Sequence, residues 1–427
     1  MKKIVTLSLL FLILLIGSFI NFMPHSNYNY PLHVDEWTHF TNSKHISNGS
    51  PLYFGGESNS LEEGFHILLA VLNLLGVPYL FMFKFLPFII TFFLGMITFI
   101  LVRKWFDDIS ALFSVVFIMM LKSSVSLLGP MFLVPMALGL MFIFIGLYLI
   151  KSKLLFLIIA TTLIIHPPSG IALLILINSY VLGKYIKNKK IKFSLLLQQV
   201  VGILISLPLF LGQLLMKGAY NLQFSESIIP FYFIPRYLGY IITGIILIGI
   251  FIIIYRKKYT LFIYPLILLI LAVLYYQYQI NVLIFYERNL MYLLAFFAIP
   301  FGIAIGTFSN AFKKFKSILA VIIIVLLLIF LMPQKIESTK NVYKIINDSE
   351  YDEFLSYKEL EGTRAVLDPW KAIAFTPIAE KEIYSRIPPG PIEQYLARNE
   401  EIFNFFNNNC VNETFLKQNE IDIVVGC

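Results

Sequence analysis

The sequence predicts an all-α polytopic membrane protein of about eleven transmembrane helices, with surface helices in its first outer loop and a small C-terminal α/β domain. Three observations predict this. Of all residues, 58% are hydrophobic and only 14% charged, which is more apolar surface than a soluble domain can bury. Runs of about 20 apolar residues, the length a helix needs to cross a bilayer, recur between residues 4 and 332. Beyond Pro333 the composition changes to charged, mixed sequence.

The first apolar run, 4–23, follows Lys2 and Lys3. It is long for a signal peptide and no small-x-small cleavage pattern follows it, so it reads as an uncleaved first span. Further spans are expected at 83–102, 109–127, 129–150, 154–165, 169–183, 193–215, 237–255, 259–279, 289–308 and 317–332. The segment 64–81, "GFHILLAVLNLLGVPYLF", is also apolar, and the basic residues decide its place. Clusters at Lys2/Lys3, Arg103/Lys104, Lys151/Lys153, Lys184 to Lys192, Arg256 to Lys258 and Lys313 to Lys316 all reach the cytoplasm, as the positive-inside rule requires, only if 64–81 does not cross. It is therefore expected to lie at the outer surface or dip part way, broken by Gly76 and Pro78. The N-terminus is then inside and the C-terminus outside. Segments 154–165 and 169–183 form either two spans or a re-entrant pair around "HPPSG", and sidedness survives both. The Asn-x-Ser/Thr sequons at Asn48, Asn347 and Asn412 all fall outside.

On this topology the outer face holds the loop 24–82, the turn 166–168, a loop near 216–236 and the tail 333–427. In the tail, "TRAVLDPW", "KEIYSRI" and "IDIVVGC" read as short strands with helical stretches such as "PIEQYLARNEEIFNFF" between them. The tail is close to the lower size limit for an independent core. Its two cysteines, Cys410 and Cys427, lie outside the cytoplasm, where a disulfide and two free thiols both remain open.

Titratable chemistry concentrates in "PLHVDEWTHFTNSKHISNGSPLYF". A surface helix is expected from Val34 to Ser47, ended by Asn48-Gly49. Asp35 and His39 then share a face, with Trp37 and Phe40 toward the lipid headgroups. The acids Asp35 and Glu36 either decorate the first helical turn or supply a general base. The stretch "DEWTH" falls short of H-E-x-x-H because Asp35 stands where that motif has its first histidine. A looser site for magnesium or manganese, built on Asp35, Glu36 and a nearby histidine, stays open. All six histidines (His25, His33, His39, His45, His66 and His166) fall at or near the outer face.

A second element is "FYERNLMYLLAFFAIP". Glu287 and Arg288 at the end of a span are either a self-satisfied ion pair or a site in which Arg288 holds a phosphate. Arg236 and Lys217, in the outer loop, are weaker candidates of the same kind. His166-Pro167-Pro168 reads equally as a cavity-lining break and as an ordinary turn. The sequence has no Walker motif, no G-x-G-x-x-G and no G-x-S-x-G, so an activated substrate is expected to be lipid-soluble or to come from outside. The net charge of +8 resides largely in short clusters between apolar segments, which orient the chain in the bilayer and give no reason to expect nucleic acid.

The order of these parts resembles the GT-C superfamily of integral-membrane glycosyltransferases. One span precedes an outer loop with an acidic "DE" opening a surface helix. An amphipathic "EEGFHILLAVLNLLG" follows, then "KFLPFIITFFLGMITFILVRKWF", a late "ERNLMYLLAFFAIP" span and a small outer tail. The block "DEWTHFTNSKHISNGSPLYF" is similar to the first loop of bacterial and archaeal relatives of protein mannosyltransferases and aminoarabinose transferases. The resemblance covers most of 1–332 as architecture, with short motifs only in the first 105 residues and around Arg288. It implies a sugar donor on a polyprenyl phosphate such as dolichyl phosphate, a glycan, lipid or protein acceptor, and inversion at the sugar carbon. It implies Asp35 as base, Glu36 as its neighbour orienting it or binding a metal, and Arg288 neutralising the departing phosphate. His39 and His166 would stand at the rim. No second Asp-x-Asp and no W-W-D motif is present, which points to a monosaccharide donor. A transporter or flippase of lipid-linked saccharide is the alternative, though no internal repeat supports it. A polymerase or ligase of surface polysaccharide would use similar parts.

Overall fold

A computed structural model describes residues 3–49, 62–189, 193–215, 229–278, 284–387 and 393–427. The first apolar run forms α1 (Lys3–Phe22), and the loop after it carries α2 (Val34–Ser47) and α3 (Glu63–Leu74). The His33 ring caps α2 by accepting the Asp35 amide, and Gly49, at φ +87°, follows its end. α3 has 12 residues, roughly 18 Å of helix, too short for a hydrocarbon core of roughly 30 Å. Gly76, at φ +91°, turns the chain into α4 (Tyr79–Trp105).

There follow α5 (Asp108–Met119), α6 (Pro135–Tyr148), α7 (Leu155–Ile165), α8 (Pro167–Asn188) and α9 (Phe193–Leu215). Next come α10 (Ile234–Leu238), α11 (Tyr240–Tyr255), α12 (Thr260–Tyr278), α13 (Tyr286–Phe296), α14 (Ala298–Ala311) and α15 (Lys316–Ser338). Among the described residues six helices are long and apolar enough to cross a membrane, or seven if the stretch 231–255, bent by 109°, counts as one span. This narrows the expected eleven. The segments at 109–127, 129–150 and 154–165 yield only short helices, because the chain leaves helical geometry inside the protein. Residues 120–134 run between α5 and α6 largely without helix, and most of them are buried. Their backbone groups find buried partners: the Lys335 ammonium donates to the Leu121 carbonyl (2.5 Å), and the Leu133 amide donates to Glu36 (2.6 Å). Within a membrane protein, non-helical backbone is tolerated where protein groups satisfy it in this way.

The basic turns gather at one end of the bundle. Arg256 and Lys258, between α11 and α12, lie 5.8 and 5.9 Å from the Phe106 ring after α4. Lys104 donates to the Tyr148 carbonyl at the end of α6 (3.1 Å), and the field at Lys258 includes Lys187 and Lys151. The other end carries α2, α3, the α7–α8 turn and the start of α13.

Past α15 lie α16 (Asp348–Ser356), β1 (Arg364–Val366), α17 (Pro369–Ala379), β2 (Glu382–Ile383), α18 (Glu393–Asn407), α19 (Glu413–Gln418) and β3 (Ile423–Val424). The strands fall in the three stretches expected and pair in parallel in the order β2-β1-β3. Cys410 and Cys427 form a disulfide. α17 shares the main apolar core, while Val366, Ile402, Phe405 and Ile421 form a second, smaller cluster. This part grips the first loop directly. The Tyr343 amide donates to the Leu32 carbonyl (2.9 Å), Tyr30 donates to Asp348 (2.8 Å), and Lys44 reaches both Glu380 (2.8 Å) and the Pro377 carbonyl (2.7 Å).

If the basic turns and the α2 end face opposite sides of a bilayer, single cysteines placed at Lys153 and Lys358, both exposed, will react with an impermeant maleimide from opposite sides of sealed vesicles. Labelling of both from one side would overturn this arrangement.

Candidate active site

The two acids that open α2 part company. One helical step separates neighbouring residues by about 100°, and the surroundings do the rest. Glu36 is fully buried and accepts the Leu32 amide (2.7 Å) on one oxygen and the Leu133 amide (2.6 Å) on the other. Burial pushes its carboxyl up to about 8, against the pull of the amides. Both Glu36 oxygens are thus turned to backbone amides inside the protein and away from the opening that Asp35 faces.

Asp35 turns the other way and keeps 21% of its side chain exposed. Arg288, in the first turn of α13, brings Nη2 to 3.8 Å from Asp35 Oδ2. That is ion-pair range but longer than a hydrogen bond, so both groups stay available to a ligand. The His33 Nδ1 lies 3.8 Å from the same carboxylate oxygen.

Beside this pair lies a network that the sequence reading did not assemble. Glu62, just before α3, contacts His166 Nε2 (3.2 Å) and His39 Nε2 (3.6 Å) with its two oxygens. His39 Nδ1 and His66 Nε2 are 2.9 Å apart. On the far side, His166 Nδ1 meets Ser169 Oγ (2.6 Å), which in turn meets the Tyr292 hydroxyl (2.7 Å). Burial holds His39 and His166 below the ordinary imidazole value and His66 at about 3. Burial raises Glu62, but the His166 hydrogen bond and the nearby Arg288 charge outweigh it and hold the carboxyl at about 2. A neutral His166 then donates from Nε2 to Glu62 and accepts from Ser169 at Nδ1, a tautomer assigned from its partners. Two close approaches make room for the network. A Cβ on Gly64 would collide with the Ile164 backbone, which lets α3 dock on the end of α7, and a Cβ on Gly139 would collide with Ser169 Oγ.

The missed residues had a signal in the chain. "DEWTH" (35–39) and "EEGFH" (62–66) are two copies of acid-acid-x-x-His, each putting a carboxylate and an imidazole on one helical face. Among the other candidates, Glu287 lies beside Tyr275 and Tyr286 and makes no pair with Arg288 among the described residues. Arg236 is exposed on α10 with its guanidinium 5.6 Å from the Phe233 ring, apart from the cluster. Lys217 lies outside the described residues. Trp37 and Phe40, expected at the headgroups, are buried instead. Their rings stack at 6.0 Å, and Phe40 packs on Tyr79 and Phe83 of α4. Glu62, His39 and His166 are the residues with donor atoms of the kind zinc takes, yet they satisfy one another. Among the described residues no group of three or more His, Cys, Asp or Glu could hold a metal ion.

With the geometry known, the chain can be set beside solved structures. The oligosaccharyltransferase of Archaeoglobus fulgidus in the apo form superposes with a TM-score of 0.66 at 10% identity, over 95% of this chain and 69% of that one. The same enzyme in complex with Zn and sulfate gives 0.56 at 11% identity, over 91% and 66%. Its complex with an inhibitory peptide and a dolichol-phosphate gives 0.53 at 13% identity, over 95% and 69%. The chain has the GT-C fold. It spans about two-thirds of the length of these GT-C neighbours. No protein-family model matches the chain, and a search of curated protein sequences finds no match. Asp35 lies in the first turn of α2 and Arg288 in the first turn of α13.

The two acids are expected to respond differently to substitution. Glu36→Gln turns an amide group toward a backbone N–H and should cost about 1–3 kcal/mol of stability, whereas Asp35→Asn should leave the unfolding temperature within a degree or two. Glu36 carries a folded value of about 8 against 4.5 unfolded, so its stabilising contribution is complete below pH 4.5 and disappears as pH rises through 8. The stability of the unaltered protein relative to Glu36→Gln should fall across that window by up to about 1.4 kcal/mol per pH unit, while the buried histidines, whose lowered values make stability rise with pH, are common to both and cancel in the difference. Thermal unfolding in detergent at several pH values checks all three.

Proposed function

We propose that this protein is an inverting glycosyltransferase that moves a sugar from a polyprenyl-phosphate donor to an acceptor hydroxyl. The observation that carries this reading is the Asp35–Arg288 pairing in a partly open site on a GT-C fold. Support for a lipid-borne donor comes from the neighbour that holds a dolichol-phosphate and from the absence of any nucleotide motif in the sequence.

In this mechanism the Asp35 carboxylate accepts the proton of the acceptor hydroxyl, whose oxygen attacks the anomeric carbon. The bond from that carbon to the phosphate oxygen breaks with inversion, and the electron pair leaves on the lipid phosphate. Arg288 presents a permanent positive charge to the phosphate as its charge grows. Glu62, held ionised, accepts hydrogen bonds from sugar hydroxyls, and the buried imidazoles keep it in place. Glu36 positions the helix that carries the base. Without a second Asp-x-Asp or a W-W-D motif, the donor is a monosaccharide rather than an oligosaccharide. A flippase reading finds less support, because the charged groups collect at helix ends and not at broken helices in mid-span.

We further propose that the basic turns lie in the cytoplasm of a multi-pass plasma-membrane protein, which puts the site and residues 333–427 outside. Residues 1–332 then act as the catalytic module, and 333–427 as an extracytoplasmic unit.

The test is transfer by purified protein supplied with labelled polyprenyl-phosphate sugars and membrane extract. Asp35→Asn should abolish transfer without loss of folding, and full activity in that variant would remove Asp35 from the mechanism. Arg288→Ala should lower kcat/KM by about 10²–10³, with Arg288→Lys in between. Gly139→Ala, which displaces Ser169 and so frees His166, should reduce kcat more than KM while leaving Asp35 and Arg288 in place.

A further inference from the structure

A second cleft, of about 310 Å³, opens in the C-terminal α/β part, away from Asp35. Its walls come from four elements. α16 supplies Glu350 and Glu353; the β1–α17 turn and the first turn of α17 supply Asp368 and Lys371; α18 supplies Phe403; and the stretch just past β3 supplies Gly426. The sheet topology explains why the chain opens here. β1 is central, β2 follows it on one side, and the chain returns through α18 and α19 to place β3 on the other. In open parallel sheets the crevice beyond the carboxyl ends of the strands, where the order reverses, is where ligands bind. Leu367–Asp368 and Val425–Gly426 are the residues that leave the carboxyl ends of β1 and β3.

The cleft is also braced. The disulfide between Cys410 and Cys427 ties the chain just past α18 to the chain just past Gly426, which joins two of its walls covalently.

The lining selects a ligand class. Phe403 is 48% exposed, an aromatic face offered to a flat apolar surface. Two of the three carboxylates are already compensated: Glu350 by Lys371 at 2.6 Å, and Asp368 by the amides of Trp370 (2.8 Å) and Lys371 (3.3 Å). They remain hydrogen-bond acceptors but no longer demand a cation. Glu353 is exposed and makes no ion pair among the described residues. Its charge and the acceptor-rich walls disfavour an anionic ligand such as the phosphate of a lipid donor. A polyhydroxylated, uncharged molecule with an apolar C–H face meets every one of these conditions.

A row of rings connects this cleft to the site. His33, 3.8 Å from Asp35, lies 5.5 Å from the Tyr343 ring, which lies 5.6 Å from Trp370. Trp370 sits between the cleft residues Pro369 and Lys371. We propose that the cleft binds a neutral saccharide, the growing or terminal part of a carbohydrate acceptor. Its place on the acceptor side rests on the transferase reading; the binding itself does not.

The test is equilibrium binding of maltotriose, mannotriose and triacetylchitotriose to the full-length protein in detergent, read by saturation-transfer NMR. At least one should bind saturably. Phe403→Ala and Glu353→Gln should each weaken that binding about tenfold or more, as should reduction of the disulfide, with the unfolding temperature of Glu353→Gln unchanged. Asp35→Asn should bind as the unaltered protein does, even where it has lost transfer, so failure of the base assignment and failure of the cleft are separately visible. Absence of saturable binding by all three sugars would overturn the proposal. So would binding indifferent to Phe403→Ala and Glu353→Gln, or saturable binding of tetralysine with none of the sugars.

Discussion

The geometry of the site depends on one buried carboxyl group. Glu36 joins the amide of Leu32, in the approach to α2, to the amide of Leu133, at the end of an irregular segment distant in sequence. A carboxyl group removed from water is costly unless hydrogen bonds satisfy it, and these amides would be costly without an acceptor. Each group thus secures the other, and the start of α2 acquires a fixed rotation. With Glu36 locked inward, Asp35 points toward the opening and Arg288. Lys335 fastens the other end of the irregular segment through Leu121, so a stretch that could have been a membrane span becomes a rigid wall of the site.

Around that frame the structure separates groups that carry charge from groups that do not. Asp35, Glu62 and Arg288 are partly open to solvent, with side-chain exposures of 21%, 20% and 27%. The histidines behind them are buried and held neutral by desolvation. Neutral imidazoles can pass hydrogen bonds in a defined direction without adding to the field at the opening. The electrostatic character presented to a ligand is therefore two acids and one guanidinium, the rest being support.

Much of the architecture was legible in the chain. The helix from Val34 to Ser47, its end at Asn48-Gly49, the three strands of the tail and the break at Gly76-Pro78 all follow from local signals, which act over a few residues. The count of spans was less legible, since apolar composition does not reveal whether a segment such as 109–127 stays helical or is bent by partners at Glu36 and Lys335. Trp37 and Phe40 were misplaced for a related reason. An aromatic residue looks the same in sequence whether lipid or the α4 surface receives it. At the site, Asp35, His39, His166 and Arg288 come together; Glu62 had only the repeated acid-acid-x-x-His to mark it and Ser169 had no mark at all, and their place in the network follows from α3 docking against α7, an approach made possible by Gly64. Coincidence of groups from four separate helices is a property of tertiary packing, and single-residue reasoning has no access to it.

The contacts between the first loop and the last hundred residues have a consequence for biogenesis. Tyr30 meets Asp348 across 318 positions and Lys44 meets Pro377 across 333. Nearly the whole polypeptide must emerge from the ribosome before these contacts can form, and contacts of such high sequence separation are slow to close. During that interval the bundle can insert while α2 still lacks its cover. The cover of α2 would then arrive as a final step of synthesis, and a chain truncated before residue 340 would lack every one of these contacts.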